Sequence, residues 1–210
     1  MAITRSGPVT RNTSTVALGL AKILVGSSAA NIANRDQILD ENDNSLGALN
    51  STNFTSTIEY WRLLSGFPQL EDMTIPLSET AALECEFKEL SLRNLALARG
   101  IDADEEGYPH SVDPGEGEGN DIELGAIKLP DYVRMEAIYT YPNQVDRMYI
   151  IFPRAQVTSS VELSFNATDN ANVPITFEAK RGDSGMEGGN EAWDTAPLGR
   201  IYFGSIDVSP

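Results

Sequence analysis

Alternation with a period of two is the feature that most restricts this chain. In AALECEFKEL (81–90), Leu83, Cys85 and Phe87 point one way, and Glu84, Glu86 and Lys88 point the other. Successive side chains of a β-strand leave on opposite faces, so this pattern predicts a half-buried strand, although Ala, Leu, Glu and Lys are good helix formers. The same pattern recurs in AQVTSSVELSF (155–165), where Val157, Ser159, Val161, Leu163 and Phe165 oppose Thr158, Ser160, Glu162 and Ser164. In VPITFEAKR (173–181), Val173, Ile175, Phe177 and Ala179 oppose Thr176, Glu178 and Lys180. A sheet with one apolar and one wet face belongs in an antiparallel sandwich or barrel.

The other elements fit a mainly β chain. TVALGLAKILVG (15–26) reads as a strand, with a short helix as the alternative. STIEYWRLLS (56–65), the turn GFPQ and LEDMTIPL (70–77) read as a hairpin. YVRMEAIYTY (132–141), RMYIIFP (147–153) and LGRIYF (198–203) are further strands, with Pro153 as a break before 155–165. One helix is expected over about 91–99, with Ser91 as N-cap, an apolar stripe of Leu92, Leu95, Ala96 and Ala98, and Gly100 just past its end. Trp61 and Trp193 read as packing residues. Residues 1–15 form a polar N-terminal arm, 16–203 a single β domain and 204–210 a C-terminal tail; 34–53 is a turn-rich, mostly looped stretch. Within the domain, 102–123 carries nine acidic residues and no Lys or Arg, which predicts a solvated loop insertion.

Charge and cysteine usage narrow the function. The formal net charge is -16, so the surface lacks the Lys and Arg density that grips phosphate or an anionic membrane. An acidic wall is also one that DNA would pass without sticking. A single cysteine, Cys85, excludes an intramolecular disulfide. No apolar h-region follows Met1 and no run is long enough for a transmembrane helix, so secretion and membrane insertion are not expected.

The stretch KRGDSGMEGGNEAW (180–193) carries two chance-prone matches. Gly182-Asp183-Ser184-Gly185 has the form of a serine nucleophile loop. Its base would have to be His110, the one histidine, set in the acidic stretch GYPHSVDPGEG. Arg181-Gly182-Asp183 has the form of an integrin ligand, which an unsecreted protein never presents. Both yield to a glycine-rich turn. DPGEGEGNDIE lacks the calcium-loop spacing, and one Cys with one His cannot make a zinc site. No enzyme activity, cofactor or metal is expected.

VALGLAKILVG, then IEYWRLLSGFPQLEDMTIPLSETAALECEFKELSLRNLALARGID, then NVPITFEAKRGDSGMEGGNEAWDTAPLGRIYF form a series that resembles the major tail tube proteins of long-tailed bacteriophages. The resemblance spans roughly 15–203 and matches least well at 102–123. It implies an antiparallel β-sandwich or barrel with one flanking helix. It also implies hexameric rings whose inner sheets merge into one continuous barrel, stacked into a tube as in type VI secretion and bacteriocin tubes. The implied partners are further copies of the chain, a sheath if the tail contracts, and the tape measure, terminator and baseplate proteins. The implied location is the virion, after assembly in the bacterial cytoplasm, with double-stranded DNA in transit and no membrane. Alternatives of other classes are a secretion-system or tail-tip tube-like paralogue, a serine hydrolase using Ser184, and a carbohydrate- or calcium-binding sandwich.

Geometry agrees with the tube. Four strands from each of six subunits, about 4.8 Å apart and tilted by about 40°, leave a bore near ~38 Å once side chains are subtracted. That admits a DNA duplex. The wet strand faces supply the lumen-facing candidates Glu84, Glu86, Thr158, Ser160, Glu162, Ser164, Thr176 and Glu178. The glycine-rich turn supplies the ring-to-ring candidates Asp183, Ser184, Met186 and Glu187.

Overall fold

The computed structural model describes residues 19, 21–101, 122, 129–142, 146–158, 160–163, 165 and 171–204. The N-terminal arm 1–15, His110, the acidic stretch 102–123 apart from Ile122, and the tail from 205 lie outside them. The strands are β1 (Lys22–Ser27), β2 (Leu49–Ser65), β3 (Leu70–Phe87), β4 (Val133–Thr140), β5 (Arg147–Val157), β6 (Val173–Ala179) and β7 (Arg200–Phe203). They form one seven-stranded sheet in the order β1-β4-β5-β6-β3-β2, with β7 beside β5, and all pairings are antiparallel. The expected antiparallel β class is the one observed.

The expected alternation sets the two faces. On the first face Ile23 and Val25, Met135 and Ala137, Ile150 and Phe152, Phe177 and Ile175, and Leu83, Cys85 and Phe87 form the main core. Helix α3 (Leu92–Ala98) lies against it through Leu97 and Ala98. Ser91 caps the helix, its hydroxyl accepting from the Asn94 amide at 3.1 Å. Gly100 follows at φ 76°, where an L side chain is strained. The buried stripe is turned from the expected one: Leu92 and Leu95 are only partly buried, and Asn94 is buried instead. The Asn94 amide explains the turn, since it donates to the Leu46 and Glu89 carbonyls at 3.1 and 2.9 Å.

On the second face, Leu24, Ile138, Tyr149 and Ile151 pack beneath two covering segments. One is residues 28–44, which includes the single-turn helices α1 (Ser28–Asn31) and α2 (Glu41–Asn44). The other carries Trp193, which is fully buried and donates from Nε1 to the Ile32 carbonyl at 2.7 Å. Beneath residues 31–39 lies a buried ion pair on β4, Arg134 with Glu136 at 2.7 Å. Arg134 also donates to the carbonyls of Asn31, Asn34 and Gln37, and Glu136 accepts from the Leu39 amide. Those contacts give the buried ions the partners that burial demands.

Three expectations on strand boundaries are corrected. First, 70–77 and 81–90 are not separate strands but one, β3, with irregularities where Leu77 and Asp72 are passed over in the register. Second, Pro153 does not break β5. It falls where Phe152 and Ala155 are three residues apart opposite Met135 and Val133, only two apart, so the missing amide sits in a bulge. On the other edge of β5, β7 pairs only Met148–Ile151 and β6 only Ala155–Val157, so no neighbour asks for that amide. Third, the strand expected over 155–165 stops at Val157. Val161 and Leu163 still pack against the core, so the alternation there records burial without strand pairing.

Candidate functional site

The part of the second face left uncovered lies on β2, β3 and β6, and it is polar. Register places Glu84 opposite Thr176, Ala82 opposite Glu178, Asn53 opposite Glu84 and Ser51 opposite Glu86. These positions share one side of the sheet because directly paired residues do so and the intervening ones face the core. Asn50 Nδ2 donates to Glu86 at 2.9 Å and Asn53 Nδ2 to Glu84 at 3.4 Å. Glu178 accepts from Lys180 Nζ at 2.7 Å and from Thr158 Oγ1 at 2.8 Å. Those two hydrogen bonds, Lys180 first, hold the Glu178 carboxyl below its ordinary range against a small opposing effect of burial.

Of the eight lumen-facing candidates, the fold therefore brings Glu84, Glu86, Thr176 and Glu178 onto one face, with Thr158 bonded at its border. Ser160 and Glu162 are exposed on irregular chain beyond β5, and Ser164 lies outside the described residues. The residues missed are Asn50, Ser51, Asn53 and Thr55, because 34–53 reads as a turn-rich loop and the strand after it is expected to begin at Ser56. The signal was there: polar positions flanking Phe54, which packs against the core. Chemically the face offers hydroxyls, amides and carboxylates. It suits a wall that stays hydrated and repels phosphate.

Beyond Ala82, β3 leaves β6, and among the described residues β2–β3 run on alone as a two-stranded arm from Ser56–Ala81 to Ser65–Leu70. Ten paired residues at about 3.3 Å each make it roughly 33 Å long. It carries exposed Ile58, Tyr60, Leu64, Leu70, Leu77 and a 46% exposed Trp61, so Trp61, expected to be a packing residue, is only half covered by the described residues. Trp61 is paired with Ile75 and Leu63 with Met73, two positions apart on each strand, so the four form one apolar patch. Phe67 in the turn is 103% exposed. A lone two-stranded ribbon is marginal in water, and a patch of this kind marks a contact surface.

The glycine-rich turn is a closed loop. Gly182 N donates to the Pro197 carbonyl at 2.9 Å and Asn190 N to the Gly182 carbonyl at 2.8 Å. Arg181 and Asp183 pair with each other, which holds the Asp183 carboxyl below its ordinary range. The Ser184 amide donates to Asp194 Oδ1 at 2.8 Å. Arg154, stacked 3.7 Å above the Tyr132 ring, fastens the loop by donating to the Glu187 carbonyl at 2.9 Å. Ser184, Met186 and Glu187 project outward, and Asp183 is half-buried. Among the described residues no three His, Cys, Asp or Glu side chains are grouped to hold a metal. No helix there is long and apolar enough to cross a membrane.

No known protein family and no curated protein matches the sequence. Solved structures do show a distant likeness. The chain is similar to the tube-terminating cap of an anti-feeding prophage, with 14% identity over 86% of this chain and 96% of that one and a TM-score of 0.43. It is similar to a chain from the virion of a native gene transfer agent particle, at 12% identity, 75% and 90% coverage and a TM-score of 0.37. It is also similar to a chain of the sheath–tube complex of an extracellular contractile injection system in its extended state, at 14% identity, 89% coverage of each and a TM-score of 0.37.

Proposed function

We propose that the chain is a structural subunit of a phage-type tail, and specifically a tube protein whose copies close into hexameric rings and stack. The observation that carries this reading is the β2–β3 arm: a long ribbon with apolar side chains and bare strand edges that finds no partner among the described residues. Its ten large apolar residues leave on the order of 1,000 Å² exposed, comparable to the ~800 Å² per partner of a stable protein interface. Further copies of the same chain are the simplest cover, since an unprotected ribbon edge pairs with whatever strand it meets.

The acidic and hydroxyl face beside the arm root supports the second half of the proposal. Turned to a bore, Glu84, Glu86, Thr176 and Glu178 keep a DNA duplex hydrated and moving. No catalytic step is assigned to the chain; it works by geometry and by charge. The outward loop carrying Asp183, Ser184, Met186 and Glu187 is assigned to contacts between stacked rings.

The test is the arm itself. An Asn-Gly turn joining Thr57 to Thr80 in place of 58–79 removes it while sparing every pairing of β3 with β6. Light scattering and negative-stain images of the intact protein should show rings or tubes, and the shortened variant a folded monomer. A shortened variant that assembles as the intact chain does, or an intact chain that stays monomeric at every concentration, refutes the proposal.

A further inference from the structure

Where the arm departs from the sheet, it leaves a cleft. β6 and β7 share one edge of β5, but β7 has no neighbour on its outer side among the described residues, and β3 at the same level belongs to the arm. The gap between them measures about 240 Å³. Its lining includes Phe54, Ile150, Phe152, Leu198 and Ile201, with Ser56, Glu79 and Arg200 as polar members. Gly199 also lines it and leads into β7 at φ 134°, where a Cβ would stand 2.1 Å from the Ile151 carbonyl oxygen. Drug-sized ligands occupy roughly 300–1,000 Å³. This cleft is smaller and suits one or two side chains.

We propose that the cleft receives the arm tip of a second copy, with Phe67 as the anchoring side chain. The inference rests on the reading that the chain assembles with itself, and it names the acceptor. Three features converge. Phe67 is an aromatic ring wholly in water at the far end of the arm, flanked by exposed Leu64 and Leu70. The cleft is apolar-floored, and it lies between the unpaired outer edge of β7 and the stretch of β3 that no longer pairs with β6. An incoming ribbon can therefore add backbone hydrogen bonds as well as a buried ring. The exposed apolar area of the arm is also about what one side of a stable interface needs.

Symmetry gives the proposal its consequence. Tip and cleft are different surfaces about 33 Å apart on one chain. A contact between them can run head-to-tail around a ring or along a filament, unless two copies exchange tips reciprocally and close as a dimer; a tip-to-tip contact always stops at a dimer.

The test uses two single variants of the full chain, Gln69→Cys, which keeps the Phe67 anchor two residues away, and Ser56→Cys on the cleft wall. Cys85 is no competitor, because burial pushes its thiol up to about 12. The two variants, mixed under mild oxidation, should give a disulfide joining residue 69 of one copy to residue 56 of another. Separately, Phe67→Ala should weaken self-association by about thirty-fold or more while leaving the monomer's melting unchanged. If the intact chain assembles but no 69–56 link forms, or only a 69–69 link does, the cleft is not the acceptor and the self-assembly reading stands. If the intact chain is monomeric and Trp61 fluorescence instead shifts on adding phosphatidylcholine vesicles, the arm is a membrane element and both readings fall.

Discussion

Replacing Arg134 with Met tests what fastens the 31–39 segment over the sheet. Both Arg134 and Glu136 are fully buried. The substitution leaves the Glu136 carboxylate in place without its cation, a defect worth roughly 3–5 kcal/mol. The carbonyls of Asn31, Asn34 and Gln37 also lose their donor, but they are only part-buried and water can replace it, so they add about 1 kcal/mol. A loss of about 4–6 kcal/mol is a large share of the ~5–15 kcal/mol that holds a domain folded. Urea unfolding followed by tryptophan fluorescence reads it directly, because Trp193 bonds to Ile32 next to the clamped segment. The pH dependence has a fixed sign. Burial already raises Glu136, opposed by Arg134 and the Leu39 amide. Without Arg134 its folded pKa lies further above the unfolded ~4.3, so stability is retained below that value and lost as pH rises through the folded one. The deficit should therefore be smaller at pH 4 than at pH 7. Adding Glu136→Gln should recover part of it, since the stranded charge is gone. A deficit under about 1 kcal/mol at pH 7, or a double variant no better than the single one, would overturn the reasoning.

Two further outcomes are expected. Glu84→Lys with Glu86→Lys reverses two charges on the open face, so the assembled protein should retain duplex DNA at low salt and release it as salt rises, by about 0.9 in log K per log salt for each phosphate engaged. Filter binding showing no more DNA on the variant than on the parent would remove that face from the bore. Deleting 183–189 should leave a chain that still melts cooperatively and forms rings, but with short or absent stacks in micrographs; full-length tubes would dismiss the loop as a ring-to-ring contact.

Much of this architecture could be read in advance where burial alternates within one chain. Leu83, Cys85 and Phe87 announced the core side of β3, and Glu84 and Glu86 its wet side. Ser91 and Gly100 marked the ends of α3, and Trp193 was recognisable as an anchor. What escaped has identifiable causes. Alternation reports which side of a residue is dry, not whether its backbone is paired, so 158–163 looked like strand. A proline forbids only an amide hydrogen bond, so Pro153 passes through β5 where none is required. The arm was the hardest to judge. In IEYWRLLS, large apolar groups occupy both faces, and nothing among the described residues covers them. The Arg134–Glu136 pair had a signal that went unused: two opposite charges, two residues apart, inside the otherwise apolar VRMEAIYT.

The shared edge of β5 has a practical corollary. The chain leaves that edge at Ala179 and rejoins it at Arg200, opposite Ala155 and Ile151, and Gly182 and Asn190 tie off the outermost portion between. Foreign peptide spliced into 183–189 would hang outside this tie, so neither the order nor the register of the strands would have to change. An insert there would therefore leave each subunit folded and act only on how one ring meets the next.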